Sequence, residues 1–296
     1  MIDTIRTLKK EKDAVILAHN YQLPEIQDVA DFVGDSLELA LRAASVTERM
    51  IVFCGVQFMA ETAKILNPDK KVILPVQEAG CPLADQLTPE MLIRAKAEHP
   101  HAGVVVYVNS TAECKAVADI VCTSANAVEV VRSLDADEII FGPDANLAAF
   151  VQRSVPEKTI IPVPPTGHCY VHTGFSLHDV AEARARGGRI ICHPECPPAI
   201  QERADVIAST GGMVRIAAES GLWHVFTEKE MGYRLKTLHP DRTFLTREGA
   251  VCHDMKLTTL PILKAALETE EHEVTLPDRI MAEARTAIER MIALHR

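Results

Sequence analysis

The feature that most constrains this chain is an internal repeat, in which the same succession of segments occurs three times. The first copy, Ala14 to Cys81, runs AVILAHNY, PEIQDVADFVGDSLELALRA, MIVFCG and NPDKKVILPVQEAGC. The second, Gly103 to Cys169, reads GVVVYVNS, ECKAVADIVCTSANAVEVV, EIIFG and VPEKTIIPVPPTGHC. The third, Gly188 to Cys252, reads GRIICHPE, AIQERADVIASTGGMVRIA, WHVFT and HPDRTFLTREGAVC. Equivalent residues keep register: His19, Tyr107 and His193 are 88 and 86 positions apart, as are Asp31, Asp119 and Asp205, while Cys81, Cys169 and Cys252 are 88 and 83 apart.

Each copy alternates short apolar, β-branched runs with amphipathic segments, the pattern of parallel strands joined by crossover helices. The expected fold class is therefore α/β: three homologous αβα units with parallel sheets, arranged with pseudo-threefold symmetry around a central active site. The units span 1–87, 88–175 and 176–269, and a C-terminal helix within 270–296 packs back on the first. In unit one the expected strands are Ala14–His19, Phe32–Gly34, Ile51–Cys54 and Val72–Pro75. Helices are expected after each closing cysteine, over Pro89–Glu98, Leu177–Arg186 and Leu260–Glu268, capped by Thr88, Ser176 and Thr259. The last helix is expected over Pro277–His295.

In open parallel sheets ligands bind beyond the carboxyl ends of the strands, so three inward-facing units bring equivalent positions to one cavity. Those positions carry chemistry. The first strand of each unit ends on two residues of one face: His19 and Tyr21, Tyr107 and Asn109, His193 and Glu195. The second ends on Gly34-Asp35-Ser36, Cys122-Thr123-Ser124 and Ser209-Thr210-Gly211, each directly before a helix. Free N–H groups at a helix start bind anions. Beyond the fourth strand come Cys81, Cys169 and Cys252, three convergent thiols suited to zinc, with His172 or His253 as fourth ligand, or to an iron–sulfur cluster with one iron left open.

Composition sets the outer limits. Of 296 residues, 47% are hydrophobic and 24% charged, as in an ordinary globular protein. The net charge of −10 gives no support for a nucleic-acid or anionic-membrane surface. The apolar run near the N-terminus is too short for a signal or a membrane span, so the expected location is cytoplasmic. There the eight cysteines are expected to stay reduced, with Cys54, Cys114, Cys122, Cys192 and Cys196 as bystanders.

Ten segments, among them AHNYQ (Ala18–Gln22), VGDS (Val33–Ser36), FMAETAKILNPDK (Phe58–Lys70), YVNSTAE (Tyr107–Glu113), GHCYVH (Gly167–His172), HPEC (His193–Cys196) and the CxxM at Cys252–Met255, resemble the quinolinate synthase family over nearly the whole chain. The resemblance implies condensation of iminoaspartate with dihydroxyacetone phosphate to quinolinate in NAD biosynthesis, with loss of phosphate and two waters. It implies a [4Fe–4S] cluster on Cys81, Cys169 and Cys252 whose open iron acts as Lewis acid. It also implies Tyr21, Glu195, Tyr107, His19 and His193 as acid/base residues, with Ser36, Asn109, Ser124, Thr210 and His172 binding substrate. A functional link to an iminoaspartate-producing enzyme follows. The chain departs from the family at Val76 and Pro82, where an acid and a serine are usual, and its His253, Asp254 and Met255 leave no CxxC for a regulatory disulfide. The alternatives are another [4Fe–4S] hydratase or reductive dehydroxylase, or a zinc-stabilised dicarboxylate-binding protein.

Overall fold

The computed structural model describes residues 1–294. Among the described residues, twelve strands form three separate four-stranded sheets. The first holds β1 (Ala14–His19), β2 (Phe32–Gly34), β3 (Met50–Cys54) and β4 (Lys71–Ile73). The second holds β5 (Gly103–Tyr107), β6 (Ile120–Cys122), β7 (Glu138–Gly142) and β8 (Thr159–Pro162). The third holds β9 (Arg189–Cys192), β10 (Val206–Ile207), β11 (Leu222–Phe226) and β12 (Thr243–Thr246). All three are parallel, and their spatial orders, β2-β1-β3-β4, β6-β5-β7-β8 and β10-β9-β11-β12, are the same order repeated. β1, β3, β5 and the middle of β7 are buried throughout, as strands covered on both faces must be, so they read as continuous apolar runs without alternation.

The repeat is also visible in single bonds. Asp31, Asp119 and Asp205 each accept the backbone N–H of the equivalent residue in the central strand, Ile16, Val104 and Ile190, at 2.8, 2.8 and 2.6 Å. This pins the short second strand beside the first in every unit. The loop leading to each cysteine is fixed by another threefold bond: Gln57 N–H to Ala79 O, Ala145 N–H to Gly167 O and Lys229 N–H to Ala250 O, all 2.8 Å. Only glycine allows that approach in unit two, because a Cβ on Gly167 would lie 1.9 Å from Pro143 O.

The helices after the cysteines run Pro89–Glu98, Leu177–Arg186 and Leu260–Thr269. Thr88 and Ser176 cap theirs through side-chain oxygens, whereas Thr259 stands at the N-cap without a side-chain cap bond. The C-terminal segment divides between two units. Residues 272–274 lie along β4 of the first sheet, through His272 O to Leu74 N–H and Val274 N–H to Val72 O, and Glu270 takes Lys12, Arg49 and Lys71 of the same unit. The final helix, Asp278–Ala293, touches Gln57–Leu66 of unit one but leans mainly on Ala112–Ala116 and β6 of unit two. Its apolar face, Ala284, Ala287, Ile288, Met291 and Ile292, is buried in a core shared by both units. Helical periodicity marks that face as apolar but does not name its neighbour; His295, the expected end of this helix, lies outside the described residues. No helix among the described residues is long and apolar enough to cross a membrane.

Candidate active site

The carboxyl ends of all three sheets open onto one cavity whose empty space, open solvent at the mouth included, is about 750 Å³. Every site residue expected from sequence lines it: His19, Tyr21, Ser36, Cys81, Tyr107, Asn109, Ser124, Cys169, His172, His193, Glu195, Thr210 and Cys252. Phe58 and Met59 form part of the wall.

The strand-end turns of units one and three are built alike. His19 Nδ1 accepts the Tyr21 N–H at 3.2 Å, and His193 Nδ1 accepts the Glu195 N–H at 3.3 Å. Each ring therefore carries its proton on Nε2, the tautomer that this hydrogen-bond network assigns. Burial pushes both imidazoles down to about 3, so they are neutral at physiological pH. His193 Nε2 donates to Ser124 Oγ at 3.1 Å across the seam between units two and three.

A hydrogen-bonded chain crosses the cavity floor. Tyr21 Oη is 2.5 Å from Thr227 Oγ1, which is 2.8 Å from His172 Nε2. His172 Nδ1 lies 2.7 Å from Glu195 Oε2, close but off the line of a good hydrogen bond. Glu195 Oε1 accepts the Tyr107 hydroxyl at 2.6 Å. Burial pushes both phenols well above their ordinary value, with the Glu195 charge adding to it, so both are neutral donors. For Glu195 itself burial opposes ionisation, but His172, His193 and the Tyr107 hydroxyl outweigh it and hold the carboxyl below its usual range. Tyr21 and Glu195 are thus linked through Thr227 and His172, and both nitrogens of His172 face protein partners.

Sequence reasoning missed Thr227, which is fully buried. It follows β11, and its repeat equivalents Cys54 and Gly142 carry no comparable chemistry, so comparison of the copies does not single it out. Glu228 and Lys256 were also missed. They pair at 2.8 Å, and Lys256 Nζ reaches the Tyr21 carbonyl oxygen, tying the third cysteine's segment to the first strand-end turn.

The helix starts are less free than their sequence suggests. Asp35 receives the N–H groups of Leu37 and Glu38 at 3.0 and 2.9 Å, and its other oxygen receives Gly211 N–H and Ser209 Oγ, each at 3.3 Å. In unit two the Asn126 side chain takes the Thr123 N–H at 2.7 Å. The hydroxyls of Ser36, Ser124 and Thr210 remain on the cavity wall, with Asn109, whose Oδ1 is buried and unpartnered. An orphaned acceptor of this kind costs stability unless a ligand donor meets it.

The three cysteines stand apart from the other five. Cys81, Cys169 and Cys252 are partly exposed, beside the exposed Pro82, His168, Tyr170 and His253, whereas Cys54, Cys114, Cys122, Cys192 and Cys196 are buried. Each of the three accepts a backbone N–H from the short helical turn that follows it: Ala84 to Cys81, His172 to Cys169 and Met255 to Cys252. Burial pushes the Cys81 and Cys252 thiols up to about 12 and about 11 and raises Cys169 well above its ordinary value. Such thiols ionise when a cationic centre offsets the burial. Three sulfurs on one cavity wall, oriented by matching amides, fit a three-cysteine metal centre. A separate group, Cys169, His172 and Glu195, places one ligand atom each within 4.8 Å of the others.

Comparison with known proteins agrees with this geometry. The model of the quinolinate synthetase A protein family matches residues 3–293. The chain is 56% identical over 293 residues to the quinolinate synthase of Pyrococcus furiosus, covering 98% of this chain and 96% of that one. It is 52% identical over 293 residues to that of Methanothermobacter thermautotrophicus, covering 97% and 96%, and 49% identical over 298 residues to that of Thermotoga maritima, covering 99% of each.

Proposed function

Because the chain belongs to the quinolinate synthase family and is an enzyme of that type, we propose that its cavity joins iminoaspartate to dihydroxyacetone phosphate, releasing quinolinate, one phosphate and two waters. The observation that carries this reading is the chain from Tyr21 through Thr227 and His172 to Glu195 and Tyr107. Enolisation, elimination and dehydration each move a proton, and this chain offers an ionised base with neutral acids at both ends.

The residue roles follow from the protonation states. Glu195 takes the carbon-bound proton, and Tyr107 Oη, already donating to it, steadies the carboxylate. Tyr21 Oη gives a proton to the departing oxygen and is recharged through Thr227 Oγ1 and His172. This role uses both nitrogens of His172 within the protein, in place of phosphate binding. Neutral His19 presents its Nε2–H to a substrate oxygen. His193 Nε2 donates to Ser124 Oγ, and the Ser124 hydroxyl in turn bonds the Tyr107 phenol, which ties the substrate-facing groups of units two and three together. Ser36, Ser124, Thr210 and Asn109 bind the two carboxylates and the phosphate.

Cys81, Cys169 and Cys252 would hold a [4Fe–4S] cluster, and when bound it supplies a Lewis acid for a substrate hydroxyl or carboxylate at its open iron. A mononuclear metal on Cys169, His172 and Glu195 is the second reading, favoured by their mutual approach; it would break the hydrogen-bonded chain. The unit bounds 1–87, 88–175 and 176–269, with the segment from 270 shared between the first two units, a cytoplasmic location and a link to an iminoaspartate-producing enzyme belong to the same proposal. The eight free thiols and the ready hydrolysis of an imine in water support the last two.

Anaerobic protein incubated with oxaloacetate, ammonium and dihydroxyacetone phosphate tests the reaction. Quinolinate is the expected product, and its absence with iron and sulfide intact would overturn the reading. A colourless protein holding one zinc would favour the mononuclear site.

A further inference from the structure

The repeat contains a second triplet of equivalent residues outside the cavity lining. Gln27, Lys115 and Gln201 are 88 and 86 positions apart, the same offsets as His19, Tyr107 and His193. All three are buried polar side chains, with Lys115 fully enclosed. They lie on the short helices that follow the catalytic turns, Pro24–Val29, Ala112–Ala116 and Pro198–Gln201.

Each reaches back to the turn of its own unit. Gln27 Nε2 donates to the carbonyls of Asn20 and Gln22 at 3.1 and 2.9 Å. Gln201 Nε2 donates to those of Pro194 and Cys196, both at 2.7 Å. These carbonyls flank Tyr21 and Glu195 on either side, at matching positions. Lys115 Nζ donates to Ser110 O, the equivalent of the Gln22 and Cys196 carbonyls. The turn of unit two has a different internal bond, which accounts for its different clamp. Gln22 and Cys196 give their N–H to His19 O and His193 O at 3.0 Å, whereas Ser110 reaches Tyr107 O through its side-chain Oγ at 2.8 Å. Buried carbonyls need donors, and two of them two residues apart set the plane of the residue between.

We propose that Gln27, Lys115 and Gln201 are positioning residues, one per unit, that hold the strand-end turns so that His19 with Tyr21, Tyr107 with Asn109, and His193 with Glu195 meet in reacting geometry. The clamp uses only donors. Gln27 Oε1 makes no hydrogen bond, so a lysine at position 27 keeps the donor that the clamp needs for the Gln22 carbonyl, as Lys115 does for Ser110 O. Gln201 differs, since its Oε1 accepts from Arg153. Position 27 is therefore where the triplet supplies its own conservative variant.

The catalytic meaning of the clamp rests on the proposed reaction, but its mechanical meaning does not. Gln27→Leu and Gln27→Lys, purified without air, are compared with the unmodified chain by iron and sulfide content, steady-state kinetics and hydrogen exchange at the Gln22 amide. In the leucine variant kcat falls about 10- to 100-fold while KM for either substrate stays within about twofold, as expected for misoriented acid/base groups. Exchange at Gln22 rises by about tenfold or more with the cluster content unchanged. In the lysine variant both return to within about threefold of the unmodified chain. A leucine variant with unaltered kcat and exchange, or a lysine variant as impaired as the leucine one, overturns the proposal. Should the leucine variant not fold, the lysine variant decides alone: near-normal kcat and protection support the clamp, and a tenfold loss overturns it. Exchange needs no substrate. An unmodified chain that makes no quinolinate would therefore sink the reaction and leave the clamp to be judged from exchange and its rescue.

Discussion

The cavity has two regions of opposite character. On the floor, His172, His193, Glu195 and Tyr107 are each less than 5% exposed and face protein partners, with His172 Nδ1 beside Glu195 Oε2 but out of line for a hydrogen bond. On the rim, Cys81, Cys169 and Cys252 are partly exposed and are met by backbone amides. A floor tied together mainly by its own side chains holds protons in defined places. A rim of sulfurs with spare valence is made to be completed by something else. The two regions touch at one peptide stretch, Cys169 to His172, which supplies a sulfur to the rim and an imidazole to the floor.

If that division is real, damage to each region should have a different signature, and the rim should give the larger loss. Cys81→Ser, Cys169→Ser or Cys252→Ser should remove iron, sulfide and brown colour together with about a thousandfold or more of activity. Cys54→Ser should leave the metal content in place. Equal loss of iron across all eight cysteine variants, measured by elemental analysis, would erase the distinction between rim and bystanders.

On the floor, Thr227→Val removes one hydroxyl and nearly no volume. It should lower kcat about 10- to 100-fold through the broken relay, with the absorption spectrum unchanged. Normal kcat would mean that Tyr21 and Glu195 do not communicate through Thr227.

The smallest effect concerns pH. Because burial holds His19 and His193 down to about 3 in the folded chain, the unfolded chain binds more protons between about 3 and the ordinary value of 6.5. Stability contributed by these neutral rings is complete above about 6.5 and is lost as pH falls through that window. The depressed carboxyl of Glu195 acts in the same direction at lower pH. Thermal unfolding midpoints measured from pH 7 down to 4.5 should fall, and His193→Asn should flatten part of that slope.

Much of this was legible in the sequence because the repeat compares each position with two others. Strands β1 and β2 match their expected limits, and β3 and β4 differ by one or two residues at their ends. The paired residues at the strand ends were visible because all three copies carry chemistry there. Thr227 was hidden because its counterparts Cys54 and Gly142 do not. The Gln27, Lys115 and Gln201 triplet was present in the same alignment, yet a buried glutamine and a buried lysine look unlike until their acceptors are known. Asp35 shows the reverse failure. A helix start reads as an anion site in sequence, but tertiary packing brings this carboxylate to the start of a helix in another unit, where it takes Gly211 N–H.

The central claim is that the floor moves protons while the rim holds the cluster, and Glu195→Gln tests it most directly. The substitution keeps the shape of the side chain and removes its charge at the junction of the hydrogen-bonded chain. In anaerobic protein the account predicts iron, sulfide and absorbance equal to the unmodified chain, with quinolinate formation reduced by about a thousandfold. Turnover within about tenfold of normal, or loss of the cluster along with activity, would contradict it.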